Sequence, residues 1–152
     1  MASGRGHARP RASTVSTDAI VNGPAYSLAV MLASGEPERL YAGLSLLVST
    51  AVEGERCAGL ASFRGLGLLC DPDLRRRAMA PEQTPGLALN GRETFARSLD
   101  ELRETAYELD SLELYACSAS VDTMAVDTAR LDGVMSTPRF IKATAGARLV
   151  AV

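Results

Sequence analysis

The feature that most constrains the fold is a strand–helix–strand pattern across residues 26–63. Residues 26–34 (YSLAVMLAS) are continuously apolar but short, and Gly35 stops them. A run of that kind fits a strand buried on both faces, as strands of parallel sheets are. Glu36-Pro37-Glu38 follows, with a proline near a helix start and acids in its first turn. Leu40, Leu44, Leu47, Val48 and Ala51 then recur on one stripe at helical spacing, and Gly54 ends the helix. Residues 56–63 read as a second strand. A crossover of that length brings the second strand back parallel to the first.

The alternation continues. After Phe63, the run Arg64-Gly65-Leu66-Gly67-Leu68-Leu69 predicts a strand-to-helix turn with its leucines packed inward and Cys70 at its end. The two glycines do not complete a dinucleotide-binding loop, and they follow the second strand rather than the first. Residues 75–93 contain Pro81, Pro85, Gly86 and Gly91, and read as a long loop with one turn of helix. Loops of that length in compact domains are usually functional or contact a partner. Ser98 with Glu101 forms a capping box that predicts a helix over residues 98–109, its apolar face made by Leu99, Leu102, Ala106 and Leu109. Residues 112–117 (LELYAC) read as a strand that ends on a thiol. Residues 131–135 predict a short connection and edge strand, Thr137-Pro138 starts a helix to residue 144, and residues 148–152 (RLVAV) form a last strand. The sum is a single α/β domain over residues 25–152, with a mostly parallel five-stranded sheet. Residues 1–24, with glycine and proline among serine, threonine and arginine, read as a disordered N-terminal extension.

Composition narrows the function. The net charge is −2 and the one basic run is Arg75-Arg76-Arg77, so no broad field is available for nucleic acid. No apolar run approaches the ~18 residues a membrane span requires. The terminal arginines have no apolar stretch behind them, which argues against a secretory signal and for a cytoplasmic protein. Cys57, Cys70 and Cys117 are odd in number and include no CxxC pair, which argues against a disulfide framework or zinc knuckle and for a reducing compartment. The single histidine, His7, lies in the extension, so a Cys-His pair or a histidine metal site has nothing in the domain to build on. No metal and no cofactor is expected.

The chemistry then centres on Cys117. A strand that runs straight into a helix start, here Ser118-Ala119-Ser120-Val121-Asp122, places its last residue at the open end of a parallel sheet. Backbone N–H groups and the helix dipole favour an anion there, and a thiolate is such an anion. The sulfur reads either as a nucleophilic, sulfur-accepting thiol or as a small buried hydrophobe. Glu113 and Asp122 would oppose its ionisation if close; Arg64, at another strand end, would favour it if the strand ends converge. Ser118 and Ser120 can donate to the thiolate or cap the helix. Cys57 reads as core. Cys70 reads as a helix-end hydrophobe, or as a second reactive thiol.

Three stretches carry a family likeness. They are residues 27–50 with Tyr41-Ala42-Gly43-Leu44; the aromatic, glycine and double-leucine turn Phe63-Arg64-Gly65-Leu66-Gly67-Leu68-Leu69; and Cys117-Ser118-Ala119-Ser120-Val121-Asp122-Thr123-Met124 with Leu131-Asp132-Gly133-Val134 downstream. Together they resemble the DsrE/DsrF-like family of sulfur-relay proteins, over residues 26–152. The resemblance implies a three-layer α/β/α fold and a homo-oligomer, a trimer or hexamer. In some members of that family a cysteine matching Cys117 carries sulfur as a persulfide, which implies that role here between a sulfur donor and an acceptor protein; Arg64, Gly65, Ser118, Ser120 and Cys70 are candidate residues of its cleft. The chain differs from some carriers of that family in having Ser120 and Met124 where basic residues follow the cysteine. Two other functions remain compatible with the residues: a non-enzymatic small-ligand-binding or assembly module, and a thiol redox protein using Cys70 and Cys117.

Overall fold

Short apolar runs bounded by glycine, proline and charge become the strands of one sheet. A computed structural model of the protein describes residues 25–152, so the N-terminal extension and His7 lie outside the described residues. The strands are β1 (Leu28–Leu32), β2 (Cys57–Ala61), β3 (Leu112–Cys117), β4 (Gly133–Met135) and β5 (Arg148–Ala151). The helices are α1 (Pro37–Val52), α2 (Phe63–Leu69), α3 (Leu74–Met79), α4 (Leu89–Glu108), α5 (Ser118–Thr123) and α6 (Thr137–Ala143). The sheet order is β4-β3-β2-β1-β5, and every pairing is parallel. No helix among the described residues is long and apolar enough to cross a membrane.

Alternation along the strands gives the sheet two unequal faces. Leu28, Val30, Leu32, Leu112 and Leu114 form the first face. It packs against Leu40, Leu44 and Leu47 of α1, Ala96, Leu99 and Ala106 of α4, and buried leucines of α2 and α3. The second face is smaller. Ala29, Ala58, Leu60 and Cys117 meet Phe140, the single buried residue of α6. The crossover from β4 to β5 carries α6 from one edge of the sheet to the other.

The second half of the helical layer differs from the sequence reading. Of the long loop with one turn of helix expected across residues 75–93, the helical part is α3 over Leu74–Met79, with Leu74 and Ala78 buried one turn apart. The helix expected from Ser98 begins nine residues earlier, at Leu89, and the apparent capping box lies inside it. Tertiary contacts outweigh the glycine at position 91: Arg92 Nε donates to Thr84 O and Oγ1 at 3.1 Å, and Phe95 packs on Tyr41 with ring centroids 5.7 Å apart. The leucine-rich turn after β2 is the helix α2, with Leu66, Leu68 and Leu69 buried as the pattern implied.

Gly65 sets how closely α2 sits on the sheet. A Cβ there would come within 2.1 Å of Leu32 O, a backbone atom that cannot rotate away. Gly65→Ala is therefore expected to destabilise the domain by ~1–3 kcal/mol or more through overpacking. The denaturant midpoint should fall with an unchanged slope; an unchanged midpoint would show that α2 is free to lift from β1.

Candidate functional site

β2 and β3 are neighbours paired in register as far as Ala61 and Ala116, and each then turns into a helix. After β2 there is one linking residue, Ser62, whose N–H donates to Leu32 O at 3.0 Å. Phe63 then starts α2 at φ +44°, in the left-handed region that a residue with a side chain rarely occupies. After β3 there is no linker: Cys117 is the last strand residue and also the N-cap of α5.

The two turns are joined. The Phe63 N–H donates to Ser120 Oγ at 2.8 Å, and Ser120 is fully buried. One turn further on, Met124 lies over Gly67 of α2, its Cε 3.3 Å from where a Cβ at that glycine would stand. The Cys-x-x-Ser-x-x-x-Met spacing thus puts serine and methionine on the side of α5 that docks on α2, and leaves the cysteine at the strand end. Ser120 does not cap its own helix, as one sequence reading allowed. It ties α5 to the neighbouring strand's turn.

Cys117 Sγ points to the second face, where it is 5% exposed and lies 3.8 Å from Thr137 Oγ1. Burial is the largest single influence and works against ionisation. The Ser120 amide, the Thr137 hydroxyl, the Ala119 amide and the Ser120 hydroxyl oppose it, and together they hold the thiol below its ordinary value. Cys117 makes no cap hydrogen bond of ordinary geometry to α5. The amides therefore act on the sulfur at longer range, and their pull is on the anion. Because the Ser120 oxygen accepts from Phe63, its hydroxyl proton is left for the sulfur.

The other site residues are distributed around this centre. Gly65 packs on β1 and carries no group toward the thiol. Arg64 is exposed and leans the other way, over Gly35: a Cβ at Gly35 would stand 2.9 Å from Arg64 Cβ and 3.4 Å from its Cδ. The strand ends converge, but the influences that dominate at Cys117 are burial and hydrogen bonds rather than a cation. Ser118 is half-buried at the first position of α5. Cys70 is the C-cap of α2 and packs against the first-face core. It therefore stands at the far end of a seven-residue helix, about 10 Å long, from the joint beside Cys117. Burial pushes its thiol up to about 11, Arg103 pulling it down and Asp127 adding to the rise. All three cysteines are free thiols, and Cys57 is fully buried.

Glu113 lies on the same sheet face as Cys117, four residues back and about 13 Å away along the strand. Its carboxylate is 2% exposed and accepts from Arg56 Nε at 3.1 Å, Arg56 Nη2 at 3.0 Å, the Tyr115 hydroxyl at 2.9 Å and the Tyr26 hydroxyl. This acid is fully engaged at the opposite end of the strand. Asp122 and Asp127 are exposed, and Asp127 accepts from the Ala129 N–H in a local turn. Thr137 escaped the sequence reading as a site residue. Its signal was a Thr-Pro helix start directly after an edge strand that could pair beside Cys117.

Two open concavities lie on the helical layer, away from the thiol. One, of about 570 Å³, is walled by Tyr41, Asn90, Thr94 and Phe95; the other, of about 380 Å³, by Pro72, Arg75, Arg76 and Met79. Neither has Cys117 in its wall. No protein-family model matches the chain, and no curated protein matches it.

Two outcomes follow from these thiols. The rate of Cys117 alkylation should rise with pH at a lower inflection than for an ordinary cysteine, and Thr137→Val should move that inflection upward; a Thr137→Val profile that overlays the parent would remove the hydroxyl from the site. For Cys70, the folded state keeps a proton that the unfolded state loses between about 9 and about 11. Stability should therefore fall as pH rises through that window. Urea midpoints compared with those of Cys70→Ala check this, since the variant should lose that part of the slope.

Proposed function

We propose that this protein is a DsrE-like sulfur carrier that holds sulfur as a persulfide on Cys117. The observation that carries the reading is the Cys117 environment: a thiol at the C-terminal end of a central strand, with neutral donors that favour its anion against the cost of burial. Ligand sites in open α/β sheets occupy that end of the strands. The likeness of the Phe63–Leu69 turn and of the Cys117–Met124 segment to the sulfur-relay family adds to it.

In the proposed reaction the Cys117 thiolate attacks the outer sulfur of a donor persulfide, R–S–SH. The new bond is Cys117 Sγ–S, the donor's S–S bond breaks, and the donor leaves as R–S⁻. The transferred sulfur keeps its oxidation level, so no external oxidant or reductant is consumed. An acceptor thiolate then takes the outer sulfur by the same displacement and returns Cys117 as the thiolate. This is carriage of a group between proteins in the cytoplasm rather than turnover of a small substrate. A homo-oligomer, a trimer or hexamer, fits the apolar residue left exposed on the edge strand β5, Leu149.

A second reading has one observation in its favour. Cys117 is covered and shares an apolar cluster with Phe140, as a structural cysteine in a ligand-binding or assembly module would be. The redox reading with Cys70 is less favoured, because that thiol is held protonated and belongs to the other face's core.

Intact-mass analysis after incubation with a persulfide donor, followed by alkylation and peptide mapping, separates these readings. The carrier should gain about 32 Da, one sulfur, on Cys117 alone. Cys117→Ser should abolish the gain while leaving the fold and any oligomer intact. Equal uptake by Cys117→Ser would remove the carrier reading.

A further inference from the structure

Cys117 is tuned for ionisation yet covered, and two of the residues beside it are weakly anchored. Its sulfur lies against Thr137 and in one apolar cluster with Met135, which pairs with Cys117 across the β3–β4 ladder. Both covering residues belong to the segment 133–139, which runs through β4 and into the first turn of α6. None of the residues in that segment is buried.

Firm attachments stand on either side. Upstream, Leu131 is buried, the Asp132 N–H donates to Leu114 O at 2.7 Å, and Asp132 Oδ2 accepts from the Leu114 N–H at 2.7 Å. Downstream, Phe140 is fully buried, and its carbonyl accepts from the Thr144 hydroxyl at 2.8 Å. Between them the segment is held by a three-residue edge strand, by the Phe140 N–H bond to Ser136 O at 2.9 Å and by a long N-cap bond, Arg139 N–H to Ser136 Oγ at 3.4 Å. Regions with few buried contacts are the ones that open first in a native protein. The segment begins with Gly133, where a Cβ would meet only Tyr115 ring carbons at 3.6 Å, an ordinary contact. Nothing in the packing forbids a side chain there, and the glycine leaves the backbone freer than alanine would.

We propose that residues 133–139 form a flap, hinged at Gly133 and pinned at Phe140, whose opening admits a reacting sulfur to Cys117 and whose closing covers it again. The flap's purpose rests on the carrier reading, but its motion is read at the thiol itself. A displacement at sulfur needs the incoming atom to reach Sγ, and a thiol 5% exposed, with Met135 and Thr137 beside it, does not offer that approach. The open state supplies the approach by breaking only the three-residue β3–β4 ladder, while β1, β2, β3 and β5 stay paired and the attachments at Asp132 and Phe140 stay made.

The test is the rate of Cys117 alkylation by iodoacetamide in the full chain, mapped by peptide mass across a pH series, with stability followed in parallel. Gly133→Ala stiffens the open chain and should slow the reaction by about two- to fivefold. Phe140→Leu loosens the pin and should speed it by about tenfold. Neither change should move the pH inflection, and the rate should respond to low denaturant far less steeply than global unfolding does. The flap is overturned by a parent rate already equal to that of an unfolded cysteine with the same thiolate fraction. It is equally overturned by rates indifferent to both variants, or by a rate that tracks global unfolding. Persulfide uptake measured alongside keeps the two ideas apart. Flap-dependent alkylation without uptake retains the flap and removes the carrier; uptake with flap-independent alkylation does the reverse.

Discussion

The Phe63 N–H to Ser120 Oγ hydrogen bond holds together the part of the molecule where the proposed site lies. It joins the ends of two adjacent parallel strands at the point where each becomes a helix. A non-glycine residue at positive φ costs of the order of 1–3 kcal/mol and persists only where its surroundings over-determine it. At Phe63 they do. Ser62 is tied to β1, Gly65 is pressed onto the carbonyl of Leu32, and the Phe63 amide is taken by a buried hydroxyl. Without that acceptor the part-buried Phe63 amide would lose its partner, and a buried donor left unsatisfied costs about 1–3 kcal/mol. The position of α5, and so of the amides that act on Cys117, depends on this joint.

The unequal faces of the sheet leave the thiol under the thinner of two covers. The first face carries α1 and α4, and its buried leucines contribute about 1.5–3 kcal/mol each. That side is the rigid body of the domain. The second face is closed by one short helix anchored through one phenylalanine. A group that must meet another macromolecule is better placed on the thin side, where uncovering it sacrifices little packing. Cys70, on the thick side and protonated at neutral pH, is placed for packing instead.

How much of this was legible in the sequence depended on whether the deciding contact was local. The β1-α1-β2 unit was readable because apolar runs, Pro37 and the Leu40–Leu44–Leu47 stripe carry their own periodicity. Cys117 at a strand end was readable for the same reason. The start of α4 was not, because Gly91 and the prolines before it suggest a loop, and what extends the helix is Arg92 holding Thr84 and Phe95 meeting Tyr41. Ser98 and Glu101 match a capping pattern yet stand inside that helix, where no amide needs a cap. Ser120 looked like a local cap and bonds 57 residues away. Arg64 was placed at the correct edge, but the direction of its side chain, over Gly35, was settled by packing that no single sequence displays.

The way Cys117 is stabilised bears on what it can carry. Most low thiol values rest on a neighbouring cation, which also attracts competing anions and water. Here the pull on a sulfur that sits in an apolar cluster comes from amides and hydroxyls. Neutral donors favour its negative charge without adding a charge of their own. On the carrier reading, closure excludes the thiols and water that would discharge a persulfide between partners. Loading and protection then pull in opposite directions on the same cover. A lightly pinned segment resolves that conflict, since it can be closed for most of the time and still open without disturbing the strand that holds the sulfur.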